Sequence, residues 1–269
     1  MWFRSWIRRS PIVAYFVMVF GIEWLLVFAL SSLIPPMIAL LIGSWLPNIV
    51  GVFITGMAGG RKGLAEMASK IVLWRISFKW YVIAALLPLA IPFLSRWIYK
   101  LMGNPVPGVV PLDQIPFLLF VSIFTGAMGE ELGWRGTALP RLQARWNALI
   151  SSLILGVLWG LYHLPSFLIS GLPLQDAPLI PFMLGALGLT VFVSWTFNHT
   201  RGSLIAVFLY HFAFNFAINA AGIPSDSSLF WLLGCVCLFV ASLVVILDWT
   251  HFTRKMTAST EDTWIIQNS

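Results

Sequence analysis

Three short stretches of this sequence place ionisable or amide side chains within segments that are otherwise apolar. They read Gly-Glu-Glu-Leu-Gly-Trp-Arg over 129–135, Trp-Gly-Leu-Tyr-His over 159–163 and His-Phe-Ala-Phe-Asn over 211–215. Together they supply carboxylates, imidazoles, an arginine and an amide. Hydrolysis of an amide bond uses such groups, because a carboxylate or imidazole deprotonates water and paired donors stabilise the oxyanion.

The first stretch contains the adjacent glutamates Glu130 and Glu131. On a helix their side chains diverge by about 100°, so they cannot serve one role together. Glu131 and Arg135 are four residues apart and can form an ion pair that holds the helix end, which leaves Glu130 to face elsewhere. Taken alone, the stretch also fits a charged helix end at a membrane surface.

The other two stretches are each weak evidence for a site. His163 follows Trp159 by one helical turn, and His211 and Asn215 share a helix face. A lone histidine in an apolar helix is often bonded to the backbone, and a His–Asn pair also suits a polar clamp between helices. The three stretches together predict a site, because ionisable groups in apolar spans are costly and usually functional.

The surrounding composition is typical of a membrane protein. Of 269 residues, 59% are hydrophobic and 10% are charged, whereas soluble domains carry roughly 25% charged residues. The net charge of +6 does not indicate a nucleic-acid partner, because the basic residues lie between apolar segments and form no single patch. We therefore expect a multi-pass integral membrane protein whose environment is the lipid bilayer, in the plasma membrane if the source is bacterial.

Apolar segments long enough to cross about 30 Å of hydrocarbon recur along the chain. Backbone groups in lipid must bond within their own segment, so each segment is expected to be an α-helix. The sequence predicts an all-α bundle, with 1–269 forming a single transmembrane domain that ends in a polar tail at 254–269. The eight predicted spans are 11–33, 36–58, 80–98, 114–133, 149–168, 178–197, 203–220 and 228–248.

Basic residues set the predicted orientation. With the N-terminus in the cytoplasm, fourteen of the sixteen Lys and Arg residues lie on the cytoplasmic side, and only Arg96 and Lys100 lie outside. Such an excess marks cytoplasmic loops, so both termini are predicted to be cytoplasmic. Segment 61–76 is expected in the cytoplasmic interface, and the turn at 198–201 is expected to be solvated.

The three stretches, in this order, resemble the type II CAAX prenyl protease group, also called the CPBP or Abi family. The family pattern is Glu-Glu-x-x-x-Arg, then an aromatic residue four positions before a His, then His-x-x-x-Asn. Trp159 stands where phenylalanine is common, and the resemblance covers about 115–220. It implies an intramembrane endopeptidase that acts on a membrane-anchored peptide or protein.

The resemblance also implies roles for the matching residues. Glu130 corresponds to the glutamate that activates water, and His163 shares that water. Glu131 and Arg135 correspond to a supporting pair.

His211 and Asn215 match the positions that stabilise the oxyanion. The same site could instead hold zinc through His163, His211 and Glu130. The sequence contains no His-Glu-x-x-His motif. We favour glutamate-dependent catalysis without a cofactor, with zinc as the alternative.

The predicted positions of Glu130 and His163 along their spans conflict with a shared site. If the fifth span begins near 149, His163 lies about 21 Å along it, whereas Glu130 lies near the cytoplasmic end of the fourth span. The two side chains can meet only if the fourth span extends inward or the fifth begins deeper.

Two non-peptidase functions fit parts of the sequence. A membrane scaffold or bacteriocin-immunity protein would keep the polar cluster as structure, although the intact set of six residues argues against it. A proton-coupled transporter would use buried Glu and His as a proton path, but it predicts two related halves with broken helices, and the sequence shows no internal repeat. The sequence therefore favours a peptidase.

Overall fold

The computed structural model describes residues 2–223 and 226–253, so the predicted polar tail at 254–269 lies outside the described residues. The described residues form α-helices with two π-helical turns and a short 3-10 turn, and no β-strand is found among them, which confirms the all-α class. The α-helices are α1 (Trp2–Arg9), α2 (Pro11–Ser31), α3 (Pro36–Gly43), α4 (Leu46–Ile71), α5 (Phe78–Leu101), α6 (Ile115–Ser122), α7 (Met128–Gly133), α8 (Leu139–Gln143), α9 (Ala148–Tyr162), α10 (Leu164–Leu168), α11 (Leu179–His199), α12 (Leu204–Ala220), α13 (Ser227–Leu247) and α14 (Trp249–Thr253).

Seven helical segments of the described chain are long and apolar enough to cross a membrane, and they correspond to seven of the eight predicted spans. The remaining predicted span, 203–220, is the shorter apolar helix α12. Large hydrophobic side chains face outward, since Leu25, Phe117 and Leu247 are 74%, 72% and 85% exposed. Lipid accepts such a surface and water does not, so the chain is an integral membrane protein.

The short helix α12 extends between the two ends of α5. At the start of α12, the hydroxyl of Ser203 donates to the carbonyl of Leu73, which precedes α5, at 2.6 Å. At its other end, the N–H of Val110, which follows α5, donates to the carbonyl of Ala220 at 3.2 Å. The two helices therefore run in the same direction, and the 17 residues of α12 extend about 26 Å.

The fourth predicted span, 114–133, is too short. The helical run extends over Leu112–Gln143, because two π-helical turns, Ile123–Ala127 and Trp134–Ala138, flank α7 without ending the helix. Each π-helical turn inserts a residue into the regular helix and is common at functional sites. Glu130 therefore lies near the middle of this run. The fourth span thus extends further than predicted, as a meeting of Glu130 with His163 requires.

Helices α3 and α4 differ from the predicted second span, 36–58. The chain forms two helices there, and α4 continues to Ile71, so much of the predicted interfacial segment 61–76 is helical. Gly60 has φ 59° and ψ −150°, a backbone conformation that glycine adopts at little steric cost. The bend at Gly60 separates the apolar first part of α4 from a second part that begins with Arg61.

Glycines bring α7 into direct contact with the N-terminal part of α4. A Cβ atom at Gly129 would lie 2.5 Å from the carbonyl oxygen of Ser44, and one at Gly133 would overlap the backbone of Pro47. A Cβ atom at Gly51 would lie 3.0 Å from the Cα atom of Gly133. Small residues four positions apart permit close helix contact in membranes, so the glycines on either side of the glutamates position α7 deep in the bundle.

The packing makes a prediction about topology. Arg201 donates to the carbonyl of Arg75, so these two residues lie at the same side of the membrane, and Gly103 follows the opposite end of α5. Because the excess of basic residues marks the cytoplasmic side, single cysteines at Arg75→Cys and Arg201→Cys should lie in the cytoplasm, and Gly103→Cys should lie outside. Labelling of whole cells with a membrane-impermeant maleimide, after replacement of Cys235 and Cys237, checks this arrangement. Labelling of Arg201→Cys in intact cells would contradict it.

Candidate active site

Glu130 of α7 is buried, and two tryptophans hold one of its oxygens. The indole Nε1 of Trp134 donates to Oε2 at 2.9 Å, and the indole Nε1 of Trp159 donates to the same oxygen at 2.6 Å. These charge-assisted bonds replace part of the hydration that a buried carboxylate loses. Both bonds end on Oε2, so they fix the carboxylate and leave Oε1 to act on another partner.

The two tryptophans were not predicted as parts of the site. Trp159 stands where phenylalanine is common in the family pattern, but phenylalanine has no N–H to donate to Glu130. Trp134 lies four residues after Glu130, the same helical spacing that suggested the Glu131–Arg135 pair. That spacing is the signal for this bond in the sequence, but tryptophans are also common at membrane surfaces, so the spacing alone does not single out Trp134.

Glu131 faces a separate group of side chains. Its Oε1 accepts from a guanidinium nitrogen of Arg135 at 2.8 Å and lies 2.6 Å from Nδ1 of His211. The predicted ion pair is therefore present, and all three residues are buried. The guanidinium of Arg135 also lies over the ring of Trp159, 5.6 Å from its centre, in the geometry of a cation–π contact.

His163 directly follows α9, and its ring is oriented by the backbone. Nδ1 lies 2.8 Å from the carbonyl oxygen of Trp159. A carbonyl oxygen only accepts, so Nδ1 carries a proton and Nε2 of the neutral ring is an acceptor. The Trp159 ring makes edge-on contacts with His163 at 5.1 Å and with His211 at 5.4 Å, and thereby spaces the two imidazoles.

A cavity of about 200 Å³ lies beside these groups. Four of the six predicted site residues line it, namely Glu130, His163, His211 and Asn215. The other two, Glu131 and Arg135, do not line it and act through their contacts with neighbouring side chains. Most of the remaining wall is apolar and includes Leu174, Phe182, Leu189, Phe214, Ile218, Phe230 and Leu233.

Gly126, in the first π-helical turn, keeps one end of the cavity open. A Cβ atom at this position would lie 2.6 Å from Nδ2 of Asn215 and 3.2 Å from Nε2 of His211. Both polar atoms therefore border the same small space beside Gly126. Two nitrogen atoms directed at one position can act as a pair of donors to an oxyanion.

The residues suggested for zinc do not fit a bound ion as they are arranged. The possible ligand atoms of His163, His211 and Glu130 do not all lie within 4.8 Å of one another. We therefore derive no step of the mechanism through zinc.

Two other buried ionisable side chains lie near α7. Glu23 of α2 is close enough to Glu130 for the two carboxyl groups to interact electrostatically, but it does not line the cavity. Arg141, which the sequence analysis counted among the cytoplasmic bases, is buried and donates to the carbonyl of Thr137 and to the hydroxyl of Thr55. Both residues contribute to the polar interior around α7.

Comparison with known proteins finds similarity to one family. Residues 112–217 match the family model described as type II CAAX prenyl endopeptidase Rce1-like. The chain is also similar to CAAX prenyl protease 2 of Methanococcus maripaludis, strain S2, with 26% identity over 150 residues, which is 54% of each chain. The chain thus spans about half the length of that relative. The resemblance drawn from the three stretches is confirmed.

The buried Glu131–Arg135 pair predicts that replacing Arg135 destabilises the protein more than replacing an exposed arginine does. Arg135→Ala should destabilise the protein by roughly 3–5 kcal/mol, because it leaves the carboxylate of Glu131 buried without its guanidinium partner. Arg145→Ala is the control, since Arg145 is exposed and surface substitutions change stability by about 0.5 kcal/mol or less. Thermal unfolding in detergent measures both. Equal midpoints for the two variants would show that the pair does not stabilise the fold.

Proposed function

We propose that this chain, which carries the type II CAAX prenyl endopeptidase domain over 112–217, is an intramembrane endopeptidase. Its substrate in this proposal is a membrane-anchored peptide or protein. The observation that carries the proposal is one cavity bordered by the acceptors Glu130 and His163 and by the nitrogens of His211 and Asn215. A base opposite a pair of donors is the arrangement that addition of water to an amide requires.

Glu130 and His163 bind the attacking water. One hydrogen of the water is donated to Oε1 of Glu130, since Oε2 is held by the two indoles, and the other to Nε2 of His163, since Nδ1 bonds to the Trp159 carbonyl. An oxygen lone pair of the water then points at the carbonyl carbon of the substrate. Glu130 takes a proton from the water as the new carbon–oxygen bond forms.

His211 and Asn215 stabilise the resulting oxyanion. Asn215 donates through Nδ2. Nδ1 of His211 faces the carboxylate of Glu131, which only accepts, so Nε2 of His211 donates when the ring is an imidazolium. Glu131 offsets this positive charge, and its pairing with Arg135 holds the carboxylate in place.

The second half of the reaction returns the proton. The tetrahedral intermediate breaks its carbon–nitrogen bond, and protonated Glu130 donates to the leaving nitrogen. The products are a free amine and a carboxyl group, and Glu130 is again a carboxylate. One residue thus acts first as base and then as acid, with no covalent bond to the enzyme.

The apolar wall of the cavity supports a substrate with an apolar anchor close to the scissile bond. Side chains such as Phe182, Ile218 and Leu233 form this wall. An anchor that enters this cavity from the bilayer stays in apolar surroundings, so its binding there carries no desolvation cost. The names of the matching family and of the methanococcal relative refer to prenyl substrates, and a peptide carrying an isoprenoid chain fits the same chemistry.

Replacing the base should separate catalysis from stability. Glu130→Gln keeps the shape of the side chain but cannot accept the proton, so turnover should fall by about 10² to 10⁴ with little change in thermal midpoint. Glu131→Gln is the matched variant and should lower the midpoint as well, because Arg135 and His211 lose their shared carboxylate. Cleavage of a membrane-anchored fluorogenic peptide and thermal unfolding measure the two effects. A fully active Glu130→Gln enzyme would remove Glu130 from this role.

The oxyanion position makes a second prediction. Gly126→Ala places a methyl group against Asn215 and His211, so it should lower kcat more than it changes KM, by about 10² to 10³ for the loss of a donor. Gly21→Ala is the control, because a Cβ atom there meets nothing within 4 Å. Steady-state kinetics on the same peptide checks both variants. Equal kcat values would place the oxyanion elsewhere.

A further inference from the structure

The turn at 198–201, which was expected to be solvated, contributes a packed side chain. The ring of His199 is stacked between Trp80 of α5, at 4.9 Å, and His251 of α14, at 4.2 Å. Its Nε2 lies 2.6 Å from Oδ2 of Asp248. His199, Asp248 and His251, called here the His–Asp–His cluster, are partly buried and lie where α11 ends and α13 meets α14.

We propose that the His–Asp–His cluster binds one divalent transition-metal ion, with Zn²⁺ as the preferred ion. Each of its side chains offers a ligand atom within 4.8 Å of the other two. Two imidazoles and a carboxylate form a ligand set that zinc accepts, with bonds of about 2.0–2.2 Å. Ligand atoms in a tetrahedral site with such bonds lie about 3.4 Å apart. Because the rings of His199 and His251 are stacked, one of them must tilt about its side-chain bonds so that both rings direct a nitrogen lone pair at the same ion.

The backbone already directs two of the proposed ligands, Asp248 and His251, to the same face of one helical turn. Asp248 and His251 are three residues apart, and the N–H of His251 donates to the carbonyl of Asp248 at 3.0 Å, so one helical turn directs both side chains to the same face. His199 is the last residue of α11. The free carbonyls at a helix C-terminus carry a partial negative charge that favours a cation.

Neighbouring residues orient these ligands. The indole Nε1 of Trp195 donates to Oδ2 of Asp248 at 2.8 Å. Trp80 stacks on the His199 ring with an interplanar angle of 18°. Hydrogen bonds and packing of this kind hold the ligands of known metal sites in position.

Two members of the cluster, His199 and Asp248, line a second cavity, of about 330 Å³, which leaves room for water in the fourth position of a bound ion. Lys79 also lines this cavity, and its ammonium group packs on the Trp80 ring, 5.5 Å from the centre. The cluster is separate from the candidate active site. Along α11, His199 lies about 15 Å beyond Leu189, which lines the first cavity.

Metal binding at the cluster replaces one contact with two bonds to the ion. Nε2 of His199 and Oδ2 of Asp248 lie 2.6 Å apart, and both atoms coordinate the divalent ion once it binds. The bound ion joins the end of α11 to the segment after α13, so it should raise the thermal midpoint.

The experiment uses the full chain in detergent, treated with chelator and freed of any polyhistidine tag. Calorimetric titration with Zn²⁺ should show about one ion bound per chain. Co²⁺ in place of Zn²⁺ should give the visible absorption of a tetrahedral site. Failure of the wild-type chain to bind Zn²⁺ would overturn the proposal.

Variants locate the ion. Asp248→Asn and His251→Phe should each weaken Zn²⁺ binding by at least about tenfold, and His251→Phe keeps an aromatic ring against His199 so that the packing survives. Thermal unfolding without Zn²⁺ confirms that both variants are folded, and Zn²⁺ should no longer raise their midpoints. His163→Gln is the control and should bind Zn²⁺ as the wild type does. Unchanged binding in the two cluster variants, or binding lost in His163→Gln, would overturn the proposal.

Discussion

Burial of two adjacent carboxylates in an apolar bundle is the constraint on which this structure depends. A buried carboxylate is costly unless charged or hydrogen-bonding partners replace its lost hydration. Because neighbouring side chains on a helix diverge, each glutamate needs partners of its own. Glu130 takes two indole donors, and Glu131 takes a guanidinium and an imidazole. These partners come from α9, α12 and the run that contains α7, so satisfying the two charges also assembles the candidate site.

The carboxylates reach this position because α7 lies directly against the backbone next to α4. Glycines on either side of the glutamates remove the side chains that would hold the two apart. Asn48 of α4 then bonds to both ends of α7, accepting from the N–H of Gly133 at 2.9 Å and donating to the carbonyl of Met128 at 2.7 Å. The π-helical turns before and after α7 allow the helix to continue across this contact. The close packing of α7 against α4 and the two π-helical turns together set how deep Glu130 and Glu131 lie in the bundle.

Helical spacing and hydrophobic length could be read from the sequence, whereas contacts between distant segments could not. The Glu131–Arg135 pair follows from a separation of four residues, and seven spans follow from length and apolar character. The bond from Trp159 to Glu130 joins residues on separate helices, so no local pattern indicates it. The fourth helix continues past Glu130, Glu131 and Arg135 because other helices supply buried partners for these side chains. The sequence does not show which residues those partners are. For the same reason His199 was interpreted as solvated, since its partners come from α5 and from the segment that follows α13.

The central claim is that the scissile carbonyl binds between Glu130 and the nitrogens of His211 and Asn215. A cryo-electron microscopy structure of the Glu130→Gln variant with an isoprenylated peptide bound tests this claim directly. The account predicts the carbonyl oxygen within about 3 Å of Asn215 Nδ2 and His211 Nε2, with the carbonyl carbon facing residue 130. A carbonyl bound against Glu131 and Arg135, or outside this cavity, would contradict it.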